Sequence, residues 1–119
     1  MNISVTGAAG LIGKNLVKKL ALKGHKVKAM DFKEKFNRDQ NYINFLKNKN
    51  VEIIFGSILN KEKCKKLVND SNLIIHLAAV LGVKNTEKRR KYCLNVNFDG
   101  TKNILRLIKG KKKRIIFAS

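Results

Sequence analysis

Three glycines at intervals of three residues, Gly7, Gly10 and Gly13, lie in the stretch TGAAGLIG near the beginning of the chain. The short apolar segment before them, NISV, has the composition of a strand, and the apolar periodicity after them predicts a helix. In a strand, turn and helix of this kind, Gly7 permits a tight turn, Gly10 lets the backbone approach a pyrophosphate, and Gly13 lets helix and sheet pack closely. The motif therefore predicts a parallel α/β sheet with a dinucleotide at its first turn.

Strand and helix patterns alternate along the rest of the chain. The predicted strands are 3–6, 27–31, 51–55, 73–78 and 114–118, and the predicted helices are 11–23, 42–48, 60–69 and 87–109. We interpret residues 32–41 as a basic, polar loop, and we expect the first helix to bury Leu11, Ile12 and Val17 on one face. Because such an alternation favours parallel strands with right-handed crossovers, we predict a Rossmann-type, doubly wound α/β sheet in the order 3-2-1-4-5.

An acidic residue stands where the second strand is predicted to end. Asp31 lies 18 residues beyond Gly13, close to the spacing expected of a ribose-binding acid. A carboxylate there can accept both hydroxyls of the adenosine ribose and repels a 2′-phosphate, so NAD is favoured over NADP. Lys33, Lys35 and Arg38 follow closely and keep NADP open as the less favoured cofactor. The alternative is a sheet of the same kind without a cofactor, in which Asp31 only ends a strand.

The chain is strongly basic, because 27 Lys and Arg residues against 8 Asp and Glu residues give a formal net charge of +19. Such an excess attracts polyanions, so nucleic acid has to be weighed as a partner. The basic residues are spread over the predicted helices, loops and connections. A nucleic-acid module concentrates them on one face with aromatic residues between them. Nucleic-acid binding is therefore the less favoured interpretation.

Length and composition indicate one globular domain over residues 1–119, with 44% hydrophobic residues and no low-complexity tract. Cys64 and Cys93 lie 29 residues apart without a Cys/His cluster near them, which is typical of reduced thiols and not of a metal site. No basic leader with a long apolar segment opens the chain, and the apolar stretch 73–83 is too short to cross a bilayer. We expect a cytoplasmic protein without a membrane segment.

Five stretches occur in an order that is specific to one superfamily. They are TGAAGLIG, Asp31 after the second strand, HLAA at 76–79, NFDGTKN at 97–103 and IIFAS at 115–119. Together they resemble the NAD-dependent epimerase/dehydratase family, the extended short-chain dehydrogenases that act on nucleotide sugars. The resemblance implies bound NAD that takes up a hydride and returns it, and a nucleotide-sugar substrate. It covers only the N-terminal portion of the family's Rossmann domain, so we expect the later strands and the substrate domain to be absent from this chain.

The resemblance implies a set of cofactor contacts at the positions that match the family's motifs. These are Gly7, Ala9, Gly10, Leu11, Ile12, Gly13, Asp31, Ser57, Ile58, Leu77, Ala78, Ala79 and Asn97. Ser57 departs from the family pattern, which has an Asp before the aliphatic residue that lies against adenine, here Ile58. Asn97 matches an Asn that braces the backbone near the active site. Ala118 and Ser119 match the strand end beneath the nicotinamide ribose.

The family's catalytic pair, Tyr-x-x-x-Lys, is not found in this sequence. The pair is needed because the Lys lowers the pKa of a Tyr that acts as a base on a sugar hydroxyl. Tyr42 and Tyr92 have no Lys four residues further on, and we interpret His25 and His76 as structural. No catalytic residue is therefore assigned, and the chain alone is expected to be inactive.

Three alternatives to a nucleotide-sugar epimerase or dehydratase stay open. One is a reductase or dehydrogenase of a small alcohol or ketone, another is a non-catalytic dinucleotide sensor or scaffold, and the third is the polyanion binder. The long helix at 87–109 is also a candidate homodimer surface, through Leu94, Ile104, Leu105 and Ile108. In the alternative interpretation these side chains pack on the sheet.

Overall fold

The computed structural model describes residues 1–78 and 87–117, with side chains throughout except at 87–96. The strands in these residues are β1 (Asn2–Thr6), β2 (Lys26–Asp31), β3 (Glu52–Phe55), β4 (Leu73–His76) and β5 (Arg114–Phe117). The helices are α1 (Leu11–Leu22), α2 (Lys33–Asn37), α3 (Gln40–Asn48), α4 (Lys61–Val68) and α5 (Glu87–Ile108). Predictions that fall on Ala79, Ala118 and Ser119, or on the side chains of Tyr92, Cys93 and Leu94, lie outside the described residues.

All strands that the structure describes are parallel, and their order across the sheet is β3-β2-β1-β4-β5. This order confirms the predicted doubly wound fold. Thr6 at the end of β1 is level with Met30 of β2 and with His76 of β4. Because the chain moves outward in opposite directions from β1 and β4, a crevice opens between the carboxyl ends of these two strands. The turn at Gly7 lies at this crevice.

Alternate residues of the central strands pack on opposite faces of the sheet, as their apolar sequences require. Ile75 belongs to a core cluster with residues of α1 and α3, whereas Ile74 belongs to a second cluster with residues of α4 and α5. Val17 of α1 and Ile104 of α5 are both fully buried, so each helix is fixed to its own face. The first cluster includes Ala8, so the glycine turn is packed against this part of the core.

Two lysines hold the carboxyl end of α4, where helix carbonyl groups lack partners. The Lys28 ammonium of β2 donates to the carbonyls of Lys66 and Asn69 at 2.9 and 2.7 Å. The Lys113 ammonium, just before β5, donates to the carbonyl of Ser71 at 2.7 Å. Cations at a helix carboxyl end also interact favourably with its dipole. The charges of Lys28 and Lys113 therefore stabilise the fold.

The segment predicted as a loop at 32–41 contains the short helix α2. Phe36 is fully buried and stacks on Tyr42, with ring centroids 6.0 Å apart. A helix of five residues is too short to show an apolar period, and its charged residues favour a loop in the sequence. The burial of Phe36 is thus a tertiary effect that no local pattern predicts.

The first turn of α1 departs from the prediction as well. Leu11 and Ile12 are 82% and 69% exposed, so they do not lie on the buried face that the apolar spacing predicts. The buried face of α1 is formed by Gly13 and Val17 instead. Because α1 begins directly at the glycine turn, its first turn lies beside the crevice and not over the sheet.

The described part of α5 is divided between the core and the surface. Ile104 is fully buried, and Ile108 packs against the second core cluster. Leu105 and Phe98 are 41% and 64% exposed. Two of the side chains predicted as a candidate dimer surface therefore pack on the sheet, and a homodimer through α5 stays a prediction. In the part of the chain described here, no helix is both long and apolar enough to span a bilayer.

Candidate dinucleotide-binding site

The turn after β1 requires glycine at its first position for two reasons. Gly7 has a φ of +68°, in the left-handed region that favours glycine. A Cβ at Gly7 would also lie 2.9 Å from the backbone nitrogen of Ala78 and 2.9 Å from the carbonyl carbon of Leu77. The N–H of Gly10 donates to the Gly7 carbonyl at 3.2 Å and closes the turn. The turn is therefore packed directly against the end of β4.

Gly13 and Gly10 have different surroundings. A Cβ at Gly13 would lie 2.1 Å from the Gly7 carbonyl oxygen and 2.9 Å from the Cα of Ala8. The close contact is thus between α1 and the backbone of the turn, and not between helix and sheet as the motif predicts. Among the described residues, a Cβ at Gly10 would meet only the Gly7 oxygen, at 3.4 Å. The space above Gly10 is therefore open to a group that approaches the backbone.

Helix α1 begins directly after Gly10, without a side-chain cap and without an acidic residue in its first turn. The first N–H groups of a helix have no acceptor inside the helix, and the helix dipole adds a partial positive charge there. The exposed side chains of Leu11 and Ile12 flank these N–H groups. A diphosphate at this position would accept hydrogen bonds from the backbone, as anions do at other helix amino ends.

Asp31 is only 6% exposed at the end of β2 and is bound to the turn. Its Oδ2 accepts the N–H of Ala9 at 3.0 Å, and its Oδ1 accepts the N–H of Phe32 at 2.8 Å. The Lys35 ammonium lies 4.0 Å from Oδ1. A carboxylate offers about four acceptor positions, two on each oxygen. One position therefore remains on each oxygen, which matches the two hydroxyls of a ribose.

Tyr42 of α3 holds the other side of the turn. Its hydroxyl donates to the Ala8 carbonyl at 2.7 Å, and the Ala8 N–H donates to the Met30 carbonyl at 3.1 Å. Tyr42 is 1% exposed, and burial raises the pKa of its hydroxyl. The side chain therefore positions the turn and is not suited to act as a base. Sequence reasoning considered Tyr42 only as a catalytic candidate, and no local signal marks its contact with Ala8.

Thr6, the last residue of β1, fixes the end of β4 on the opposite wall of the crevice. Its Oγ1 accepts the N–H of Leu77 and the N–H of Ala78, both at 3.0 Å. The same oxygen lies 2.7 Å from Nδ1 of His76, which is 6% exposed. Leu77 and Ala78 are thus held next to Gly7, and their contact with a cofactor stays a prediction. Thr6 and His76 take part in this wall although the sequence assigned neither of them to the site.

The other predicted contacts lie on two further elements. Ser57 begins the turn before α4, where its Oγ accepts the N–H of Leu59 at 3.1 Å. Ile58 is 3% exposed, and a Cβ at Gly100 of α5 would lie 2.3 Å from its side chain. The Ile58 side chain therefore packs in the core between α4 and α5, and its contact with an adenine ring stays a prediction. Asn97 is exposed on α5.

Three cations follow Asp31 in the chain, and one of them lies near the ring of Phe55. The Lys33 ammonium lies 6.0 Å from the centre of that ring, and the ring is packed edge-on against Phe36 at 5.6 Å. Arg38, just after α2, is exposed. The Lys35 ammonium lies beside Asp31, and Phe55 is level with Asp31 in the sheet, so Lys33 and Lys35 bring positive charge to the end of β2.

Metal chemistry has no visible support in the part of the chain described by the structure. No three His, Cys, Asp or Glu side chains of residues 1–78 and 97–117 lie close enough together to hold an ion. The Cys64 thiol is buried and donates to the Ile58 carbonyl at 3.1 Å. Burial raises the pKa of Cys64 to about 11, so the thiol stays protonated at neutral pH.

Comparison with known proteins places this geometry in a family. The model of the NAD dependent epimerase/dehydratase family matches residues 3–119. A UDP-N-acetyl-alpha-D-glucosaminuronate decarboxylase of Bacillus cytotoxicus is 40% identical over 115 residues, which are 97% of this chain and 35% of that protein. A dTDP-6-deoxy-L-talose 4-dehydrogenase (NAD(+)) of Aggregatibacter actinomycetemcomitans is 34% identical over 114 residues, 87% of this chain and 40% of that protein.

A solved structure shows the same architecture. The UDP-glucose 4-epimerase of Thermotoga maritima, solved with UDP-glucose, superimposes with a TM-score of 0.76 at 29% identity, over 100% of this chain and 38% of that one. The chain thus spans between a third and two fifths of the length of these relatives. Because the family model covers nearly every residue, including the glycine turn and Asp31, the chain belongs to the NAD dependent epimerase/dehydratase family.

Proposed function

We propose that this chain is the NAD-binding part of a nucleotide-sugar epimerase or dehydratase. The observation that carries the proposal is the placement of Asp31 beside an uncapped helix. The carboxylate is bound to the turn by the Ala9 N–H and keeps one acceptor position on each oxygen, next to the open space above Gly10. A ribose diol and a diphosphate fit these two features together. The relatives from Bacillus cytotoxicus and Thermotoga maritima, whose names are those of nucleotide-sugar enzymes, support the same class of substrate.

The residues of this chain divide the binding of the dinucleotide among them. The first N–H groups of α1 hold the diphosphate, and Asp31 orients the adenosine ribose through its remaining acceptor positions. The negative charge of Asp31 repels a 2′-phosphate, which favours NAD over NADP. Leu77 and Ala78 form the far wall, held in place by Thr6. We propose that Ser57, Ala79 and Asn97 complete the contacts along this wall.

Bound NAD supplies an acceptor that takes a hydride from a sugar carbon and later returns it. The described side chains bind and orient the dinucleotide, and the candidates among them are not suited to act as a base on the sugar hydroxyl. Tyr42 is buried with a raised pKa and has no Lys four residues further on. The other described candidate, His76, is enclosed by hydrogen bonds. We therefore propose that the chain holds the cofactor but does not turn over a sugar by itself.

Titration calorimetry with NAD and with NADP tests the proposal. The ionic strength should be high enough to screen the surface lysines, since these attract any phosphate. We expect NAD to bind and NADP to bind more weakly. Asp31→Ala should weaken the binding of NAD by at least about a hundredfold, because two charge-assisted hydrogen bonds to the ribose are lost and the Ala9 N–H loses its acceptor. Glu52→Ala is the matched control, since it removes an exposed carboxylate at the opposite end of the sheet.

Three outcomes would contradict the proposal. If neither dinucleotide binds, the site is not a dinucleotide site. If NADP binds more tightly than NAD, Asp31 does not select against the 2′-phosphate. If Asp31→Ala and Glu52→Ala weaken NAD equally, the effect comes from net charge and not from the ribose contact.

A second candidate is a dehydrogenase in which the sugar is oxidised or reduced overall. The relative from Aggregatibacter actinomycetemcomitans, named as an NAD(+)-dependent 4-dehydrogenase, favours this candidate. The two candidates differ in what becomes of the cofactor. An epimerase or dehydratase returns the hydride and keeps NAD oxidised over a full cycle, whereas a dehydrogenase accumulates NADH. Absorbance of NADH during turnover of a nucleotide sugar by an enzyme that contains this chain distinguishes them.

A further inference from the structure

A chain of hydrogen bonds passes through His76 and connects three elements around the crevice. Nδ1 of His76 lies 2.7 Å from Oγ1 of Thr6 at the end of β1. Nε2 of the same ring lies 3.2 Å from Oγ1 of Thr101 in α5. The Thr101 hydroxyl in turn donates to the backbone carbonyl of Asn97 at 2.6 Å. The imidazole is 6% exposed and packs edge-on against Phe117 of β5 at 5.8 Å.

The direction of the first bond follows from the partners of Thr6. Its Oγ1 accepts the N–H of Leu77 and the N–H of Ala78. A hydroxyl oxygen has two acceptor lone pairs, and these two N–H groups occupy both, the Leu77 nitrogen lying 3.0 Å from Oγ1 and 3.3 Å from the Thr6 carbonyl oxygen. The hydroxyl hydrogen of Thr6 is therefore the only group left for the imidazole. Nδ1 of His76 must accept it, so Nδ1 carries no hydrogen.

The direction of the second bond follows from the carbonyl of Asn97. A backbone carbonyl only accepts, so the hydrogen of the Thr101 hydroxyl is used in that bond. Oγ1 of Thr101 then serves His76 as an acceptor, and Nε2 must carry a hydrogen. Both bond directions indicate the same state of the ring, the neutral imidazole protonated at Nε2. In this state Nδ1 accepts from Thr6 and Nε2 donates to Thr101.

We propose that His76 is a positioning residue which, as the neutral Nε2–H form, ties α5 to the ends of β1 and β4 and so holds the wall of the dinucleotide crevice. The wall in question is the peptide between Leu77 and Ala78, which lies against Gly7 at the distance where a Cβ would collide. A shift of this peptide would change the shape of the glycine turn itself. The inference rests on the proposed function only in so far as the crevice binds a dinucleotide.

Protonation of the ring removes this arrangement. A charged imidazole has an N–H on both nitrogens, so Oγ1 of Thr6 would face three N–H donors with two lone pairs. One of the two amides would then lose its bond to Oγ1, and only the Leu77 N–H, 3.3 Å from the Thr6 carbonyl, has another acceptor. The described side chains that hydrogen-bond to the ring or pack edge-on against it are Thr6, Thr101 and Phe117, and none of them carries a charge. Burial lowers the pKa of His76, so the network is intact at neutral pH and opens in acid.

Nuclear magnetic resonance of the chain tests the network without any ligand. Long-range ¹H–¹⁵N correlation of the imidazole groups reports the tautomer, and His25→Phe removes the second histidine. We expect Nε2 of His76 to be protonated at pH 7, and the amide resonances of Leu77 and Ala78 to shift together with the ring as the pH falls. An Nδ1–H tautomer, a charged ring at pH 7, or amides that do not follow the ring would overturn the proposal.

Affinity for NAD provides a second readout. If His76 had a role in packing alone, the affinity would not depend on the protonation of its ring. His76→Phe keeps an aromatic ring against Phe117 but removes both hydrogen bonds, and Thr101→Val removes only the bond to α5. We expect NAD to bind about fivefold more weakly to Thr101→Val at pH 7, as the loss of one net hydrogen bond predicts, and at least as weakly to His76→Phe, which loses two. The affinity of the wild-type chain should fall by a similar factor as His76 protonates, and that of His76→Phe should not.

The two proposals fail in distinguishable ways. If NAD binds neither to the wild type nor to any variant at any pH, the proposed function is wrong. The tautomer of His76 and the amide shifts still test whether the hydrogen-bond network exists. If NAD binds to Thr101→Val and His76→Phe as tightly as to the wild type, the positioning role is overturned and the proposed function stands. His25→Phe is the control for removal of a histidine, and it should bind NAD like the wild type.

Discussion

Gly10→Ala is expected to remove most of the affinity for NAD while the fold stays intact. Gly10 has a φ of −75° and a ψ of 171°, a conformation that any residue adopts. A Cβ there would lie 3.4 Å from the Gly7 oxygen, which is an ordinary contact. Alanine stabilises such a position by about 0.4–1 kcal/mol through the unfolded state, but it is a poor N-cap residue and loses a similar amount. The free energy of unfolding should therefore change by less than about 1 kcal/mol.

The expected effect on binding is much larger. The added methyl group would stand in the open space above the first turn of α1, where the diphosphate approaches the backbone. If two N–H groups lose their bonds to the diphosphate, at about 1.5 kcal/mol for each bond to a charged group, the loss is about 3 kcal/mol. That loss corresponds to roughly hundredfold weaker binding. Titration calorimetry measures the affinity, and urea denaturation of the same sample measures the stability.

Gly24→Ala is the matched control, because its effects should be the reverse. Gly24 has a φ of +87° after α1, and no described atom would lie within 4 Å of its Cβ. Alanine in the left-handed conformation costs about 1 kcal/mol, so this variant should lose stability and keep its affinity for NAD. If Gly10→Ala bound NAD as tightly as the wild type, the diphosphate would not lie over α1, and the reasoning from the open space would be refuted.

Gly13→Ala would place a Cβ against the backbone of Gly7, which cannot move aside, and we expect a loss of at least about 2 kcal/mol in urea denaturation. Tyr42→Phe removes the donor to the Ala8 carbonyl and should lower the free energy of unfolding by about 1–3 kcal/mol; an unchanged denaturation curve would contradict this. Burial lowers the pKa of His76 from 6.5, so the unfolded chain binds more protons and stability should decrease as the pH falls below about 6.5. Denaturation at several pH values checks this, and His76→Phe should remove that part of the dependence.

The sheet and the glycine turn are predictable from the sequence because both depend on patterns that are local in the chain. Strand and helix periods identify the elements, and their alternation restricts the topology to a doubly wound sheet. The turn then follows from the position of Gly7, Gly10 and Gly13 between a strand and a helix. Asp31 is identified by its distance from Gly13 along a βαβ unit of nearly constant length. None of these inferences requires knowledge of a long-range contact.

The parts of the site that the sequence does not reveal are contacts between distant residues. Tyr42 bonds to Ala8 across 34 positions, and Thr6 lies against His76 across 70. Each of these side chains also has an ordinary local explanation. Tyr42 can be read as an apolar residue of a helix, and Thr6 and His76 as residues at strand ends. Their partners become neighbours only when the strands are in register. The exposure of Leu11 is of the same kind, since it depends on where α1 begins relative to the sheet.

The two roles of Asp31 determine how its substitution must be interpreted. The carboxylate holds the Ala9 N–H and the Phe32 N–H before any ligand arrives, so the turn is already in its binding shape. A dinucleotide then loses little free energy in ordering the protein, which is the advantage of a preorganised site. Removal of Asp31 takes away the ribose acceptors and also loosens the turn over which the diphosphate lies. The measured loss of affinity therefore exceeds the value of the ribose contact alone. The comparison with Gly10→Ala, which blocks the diphosphate and leaves the carboxylate in place, gives the loss that comes from the diphosphate contacts alone.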